Sequence, residues 1–417
     1  MPREDTRGLA LSGASPRAIE LYEGALAEHL SFRATAGDPI AQALEDSPGF
    51  AMAHAFAAYR ALGGREPGGA EAASTIVERS ARLPMNRRER MHMRAISELA
   101  AGEHERAGAL HAEILAEHPR DVLALATAHS CDYVRGDVTS LQRRVAQVLG
   151  AWRADLPGYH AVLAMYAFGL EEAGEYARAE EYVRRALELE PRDVRAHHAL
   201  VHVYEMTDRP ADGIRWAGER AAYWADGSAA STHNWWHVAL FNLSLGRRAQ
   251  ALAIYDWRIR PRLAHGLSAL IDATALLWRF ELQGAGVGRR WGELADHWAP
   301  HAEDAYCAFS DLHAMMAFAA DGRRERGAAL LAAQTRRALQ GGTNGAMTRL
   351  VGLPAARGLS AFGEGRYAEA AQQLGRLPAL AHRLGGSRAQ HGIVALTLEE
   401  AVRRAGRPAP ERLLTGT

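Results

Sequence analysis

The chain has 417 residues, and 49 Lys+Arg balance 49 Asp+Glu; every one of those basic residues is an arginine. With no net basic field and no concentrated basic tract, neither nucleic acid nor an anionic membrane is an expected partner. The lack of lysine excludes Schiff-base chemistry and a Walker-type phosphate loop.

The N-terminal MPREDTRGLALSG mixes charges of both signs and has no apolar h-region, and residues 1–16 are expected to be a flexible lead-in. No stretch approaches about 18 apolar residues, so neither secretion nor membrane spanning is expected. Only Cys131 and Cys307 occur, far apart, which argues against a disulfide framework and for a soluble cytoplasmic protein.

From about residue 17 to 400 the chain is rich in Ala, Leu, Glu and Arg and lacks β-branched runs of period two, so it reads as all-α. Pro119-Arg120-Asp121 recurs as Pro191-Arg192-Asp193, 72 residues or two units of 36 further on. Around the second copy, Gly174 and Tyr176 supply a turn, and Ala179, Ala186, Leu187 and Pro191 continue a helix. This is the pattern of a tetratricopeptide repeat, in which small residues let two antiparallel helices approach closely. A turn glycine followed five residues on by a small residue recurs at Gly102/Ala107, Gly246/Ala251, Gly322/Gly327 and Gly365/Ala370, with a weaker Asp208/Gly213. Single hairpins cannot bury their apolar faces alone and must stack. The expected fold is a right-handed α-solenoid of tetratricopeptide-like hairpins, strongly curved around a polar concave pocket. Residues 63–74, 282–291 and 339–347 are expected as loops, and 401–417 as a tail.

In such repeats the first helix of each hairpin lines the concave side, and the unusual polar residues fall just before the turns. They are His54, His92, His129 with Asp132, then His198, His202 and Glu205, then His233 and His237, then Asp272 and Arg279, and finally Asp311 and His313. His198, His202 and Glu205 are spaced i, i+4, i+7 and form one stripe, as do His233 and His237. Three readings stay open: a metal-free pocket using histidine as acid or base, hydrogen-bonded histidines that only hold the repeats together, and a divalent metal site. The pattern assigns no metal or organic cofactor, the metal being the weakest of the three readings. Near the C-terminus, Gly386, Ser387 and Gln390 open a helix whose N–H groups suit an anion or make an ordinary cap. Trp235, Trp236, Trp278 and Trp291 are expected to pack cores.

With these residues in view, the chain resembles the tetratricopeptide-repeat protein 38 family. The resemblance runs from about residue 17 to 395 through NRRERMH (86–92), HPRDVLAL (118–125), HALVHVYEM (198–206), HNWWHVALF (233–241), GLPAARGL (352–359) and GGSRAQ (385–390). It implies a tetratricopeptide-like fold and a cytosolic protein, and carries no established activity. Positions agreeing with the family pattern include His92, His129, His198, His202, Glu205, His233, Asn234, His237, Asp272, Arg279, Asp311, His313, Ser387 and Gln390. Tyr204 and His391 depart from it, standing where relatives can have histidine and arginine.

Together these observations predict a pocket that binds, and can transform, a small polar or anionic molecule. His233 or His237 would be the acid or base, oriented by Asp311 or Glu205. Asn234 would donate to an oxyanion, and His129, His198, His202, Asp272, Arg279, His313, Ser387 and Gln390 would hold the ligand. The alternatives are a scaffold that binds a protein or peptide in the concave groove and a divalent-metal-dependent hydrolase; a homodimer is compatible with each.

Overall fold

A computed structural model describes residues 3–34, 37–64 and 66–406. The fold is all-α, apart from a two-residue antiparallel pairing of β1 (Arg3–Glu4) with β2 (Ala10–Leu11). No helix among the described residues is long and apolar enough to cross a membrane. The chain divides into two compact units, 1–133 with 137–245, and 134–136 with 246–417.

The first unit stacks helical hairpins. They are α1 (Pro16–Leu30) with α2 (Pro39–Asp46), α3 (Ala51–Leu62) with α4 (Pro67–Ser80), and α5 (Arg87–Ala100) with α6 (His104–Glu117). Next come α7 (Val122–Arg135) with α8 (Val138–Leu149), α9 (Tyr159–Glu172) with α10 (Tyr176–Leu189), and α11 (Val194–Met206) with α12 (Pro210–Glu219). A single turn, α13 (Ala221–Trp224), precedes α14 (Ala229–Ser244). The turn glycines work as expected: Gly102 and Gly174 have φ of +78° and +83°, a conformation that L side chains rarely adopt. Asp208 does the same task at φ +52°. The small residues five positions on sit at helix crossings; a Cβ on Gly213 would lie 2.3 Å from the Phe241 ring.

This unit bends back on itself. Ser31 O accepts from Val194 N (3.1 Å), Gly227 O accepts from Ala34 N (2.7 Å) and Leu30 O accepts from Arg195 Nε (3.1 Å). The end of the first helix therefore touches the start of α11 and the approach to α14, and the expected curvature is present within this unit.

Residues 3–15, which sequence reading leaves as a flexible lead-in, are tied down. Ser12 N donates to Glu89, Arg88 and Asn86 donate to Ala10 O, and Arg7 pairs with Asp5 and Glu23. The expected loop at 63–74 is largely helix α4. Pro67 takes the first helical position, where its missing N–H costs nothing, and Gly69 packs where a Cβ would meet Ala61 O at 2.2 Å.

The second unit contains α15 (Arg248–Ile254), α16 (Leu267–Leu282), α17 (Arg290–Trp298), α18 (Ala308–Ala320), α19 (Arg324–Ala338), α20 (Gly342–Met347), α21 (Leu353–Gly363), α22 (Tyr367–Leu374), α23 (Arg388–His391) and α24 (Ile393–Arg404). Helix α20 replaces most of the expected loop at 339–347. Trp278 and Trp298 are core residues here, their indole N–H groups donating to Thr397 and Thr274 at 2.9 Å each. The expected tail starts inside α24, and its residues 407–417 lie outside the described residues.

Candidate functional site

Three helices of the first unit, α9, α11 and α14, bring a set of polar side chains together. His198 and His202 stand one turn apart on α11, and His233 and His237 stand one turn apart on α14, so each helix offers two imidazoles from one face. The four rings form one cluster, with centroids 4.5 Å apart for His198–His202 and for His202–His237, 4.8 Å for His233–His237 and 4.9 Å for His198–His233. One nitrogen from each of the four lies within 4.8 Å of all the others.

Carboxylates set the orientation of two of these rings. His237 Nδ1 donates to Glu205 Oε2 at 2.6 Å, and His202 Nδ1 lies 3.6 Å from Glu171 Oε2. His202 Nε2 is then left 3.0 Å from His198 Nε2. Glu171 and Glu172 are both buried and lie close to His202. Burial holds His198 and His202 well below the ordinary imidazole pKa, and the neighbouring rings add to this, so both are neutral at pH 7 with a lone pair to offer. His202 and His237 are fully buried, whereas His198 and His233 keep a partly exposed edge. Phe168 stacks on His198 (5.7 Å, 26°), and Trp236 stacks on His233 (5.1 Å, 14°).

Of the two carboxylates expected to orient an imidazole, Glu205 does so. Asp311 belongs to the second unit, where its Oδ2 accepts from Gln334 Nε2 at 3.2 Å and burial pushes its pKa up to about 7. His129 spends its Nε2–H on Met165 O at 3.1 Å, which ties α7 to α9, and burial lowers its pKa to about 3. Asn234 is buried, and its Oδ1 has no hydrogen-bond partner among the described residues.

In the second unit, Asp272 and Arg279 lie on α16 and His313 on α18, all within one body with Asp311, Ser387 and Gln390. Asp311 and His313 are two residues apart and diverge around the helix. His313 donates its Nδ1–H to Phe309 O at 2.8 Å, which makes Nε2 the acceptor nitrogen, and burial lowers its pKa to about 4. Arg279 donates to Ala275 O and Ala389 O. The anion site expected at Ser387 is a capping box instead: Ser387 N donates to Gln390 Oε1 (3.1 Å) and Gln390 N to Ser387 Oγ (3.4 Å). Those donors are already used within a four-residue helix, as an ordinary cap uses them.

A second buried polar chain lies elsewhere in the first unit. Tyr59 OH is 3.0 Å from His92 Nδ1 and 2.9 Å from His111 Nε2, and His92 Nε2 is 3.0 Å from Asp121, which also pairs with Arg88. Assigning the proton on His92 Nε2 to the carboxylate makes Tyr59 the donor to Nδ1 and the acceptor from His111. Each of these polar groups thereby gains a partner.

The fold places the chain among tetratricopeptide-like helical repeat proteins. A tetratricopeptide-repeat family model matches residues 160–203, the span that carries Phe168, Glu171, Glu172, His198 and His202. Among solved structures, the crystal structure of the P58(IPK) TPR domain aligns over 85% of this chain and 98% of its own, at 14% identity and a TM-score of 0.20.

Proposed function

We propose that this chain is a tetratricopeptide-like protein of the tetratricopeptide-repeat protein 38 family that binds a small polar molecule at the imidazole and carboxylate centre of α9, α11 and α14. The observation that carries this is the concentration of His198, His202, His233, His237, Glu171 and Glu205 on three neighbouring helices. Hairpin stacking by itself needs only small and apolar residues there. The fixed groups around the imidazoles are carboxylates, which favours a ligand rich in donors, or a cationic one, over the anionic ligand that the sequence suggests. With its Nδ1–H held by Glu205, His237 has the ring orientation that a proton-transfer step through Nε2 requires.

The test is a thermal-shift screen of untagged protein against polar metabolites, comparing wild type with His233→Ala, since a site ligand stabilises only the protein that binds it. A compound that raises the wild-type midpoint and leaves the variant unmoved is the expected result. If no compound shifts the wild type, or both shift equally, the reading is wrong. A protein or peptide partner is the second reading, and the repeat match over 160–203 favours it; peptide capture that survives His233→Ala would support it over the first.

A further inference from the structure

We infer that His198, His202, His233 and His237 form the inner coordination set of a borderline transition-metal cation of the Zn2+ or Co2+ type, with Glu205 and Glu171 as positioning residues. The inference deepens the polar-ligand reading and rests on the same side chains.

Geometry is the first argument. Nitrogen ligands held about 2.0–2.1 Å from a metal lie about 3.3 Å apart in a tetrahedron and about 2.9 Å apart at cis positions of an octahedron. His198 Nε2 and His202 Nε2 stand 3.0 Å apart, and all four donor atoms fall within 4.8 Å of one another. A single N–H···N hydrogen bond accounts for the 3.0 Å approach. It gives no reason for two more imidazoles from a neighbouring helix to converge on the same point.

The second argument is the surroundings of the rings. Imidazole metal ligands characteristically donate their outer N–H to a carboxylate, which sets the tautomer and turns the other nitrogen toward the metal. His237 meets that condition through Glu205 at 2.6 Å, and Glu171 stands 3.6 Å from the equivalent nitrogen of His202. Two buried ligands paired with two partly exposed ones give a cation a path to the four nitrogens from solvent. An all-nitrogen donor set selects Zn2+, Co2+, Ni2+, Cu2+ or Fe2+ over Mg2+ and Ca2+, which prefer oxygen.

The experiment uses the untagged full-length chain, stripped with a chelator and titrated with Co2+. The ligand-field absorption reports geometry, and elemental analysis of the Zn2+-loaded protein reports stoichiometry. Expected are saturation at one Co2+ per chain, displacement by Zn2+ and indifference to a large excess of Mg2+. Glu205→Gln should weaken affinity by about 10–100-fold, a change that a merely structural carboxylate would not produce. His198→Gln and His233→Gln, at the partly exposed positions, should each abolish stoichiometric binding while keeping the wild-type circular dichroism. His265→Gln, on the surface, should change nothing.

Failure of the wild type to bind Co2+ saturably, or binding undiminished in folded His198→Gln and His233→Gln, overturns the inference. If the stripped wild type binds no metal yet a polar compound stabilises it through His233, the metal is refuted and the small-molecule reading stands. If the metal binds and no compound shifts the loaded protein, the small-molecule reading falls and the metal centre stands.

Discussion

Gly169 sits on α9 against α8, two residues before Glu171, and Gly169→Ala tests whether that close crossing positions the site. A Cβ there would lie 2.8 Å from Gln142 Cα and 3.0 Å from both Gln142 N and Leu141 O, where ordinary contact begins near 3.4 Å. These neighbours are backbone atoms, so α8 must retreat by about half an ångström, and overpacking of this kind costs about 1–3 kcal/mol. The gain in helix propensity from glycine to alanine returns up to about 1 kcal/mol, leaving a net loss of about 1–2 kcal/mol. Gly24, exposed on α1 with nothing within 4 Å of its added Cβ, supplies the control: the same substitution there should stabilise by up to about 1 kcal/mol. Urea unfolding followed by circular dichroism reads both, and the midpoints should move in opposite directions. Because the retreat also shifts Glu171 against His202, Gly169→Ala should weaken Co2+ binding as well. If both alanine variants are stabilised alike, α8 and α9 do not meet as described.

Two other substitutions have definite signs. Burial raises the Asp311 carboxyl from 3.8 to about 7, so between those values the folded state keeps a proton that the unfolded chain has lost, and stability falls as pH rises. At 1.36 kcal/mol per unit the full penalty above pH 7 is about 4 kcal/mol at most. Asp311→Asn should therefore gain on wild type in urea midpoint from pH 4 to pH 8, and parallel curves would refute the assignment. Tyr59→Phe takes the hydroxyl from between His92 and His111 and should cost about 1–3 kcal/mol. Adding His111→Leu should recover part of that loss, since removing both partners leaves fewer unsatisfied groups; an additive further loss would show that the hydroxyl contributes little.

The repeat was legible because its signals are local. A positive-φ turn and a small residue at a crossing are written in adjacent residues, and even Asp208 stood out as the turn residue in a glycine's place. The two histidine pairs were legible because i, i+4 spacing survives in any helix. Glu171 and Glu172 were missed, although two consecutive acids in the otherwise apolar AVLAMYAFGL-EE run were the available signal. The Ser387 segment stayed ambiguous because exposed and self-satisfied N–H groups share one sequence pattern, and only geometry shows Gln390 folding back on the cap. Asp311 and His313 belong to the second unit and the four-histidine set to the first, a division that periodicity does not reveal.

The contacts of Leu30, Ser31 and Ala34 with Arg195, Val194 and Gly227 change how the first unit must come apart. An open array of hairpins melts from its ends, because each repeat is held only by its neighbours. Here the end of the first helix is pinned beside the sixth hairpin, so fraying at one terminus is penalised by the other, and the unit behaves as a single cooperative block. Loosening the N-terminal helix would therefore be felt at Arg195, three residues from His198.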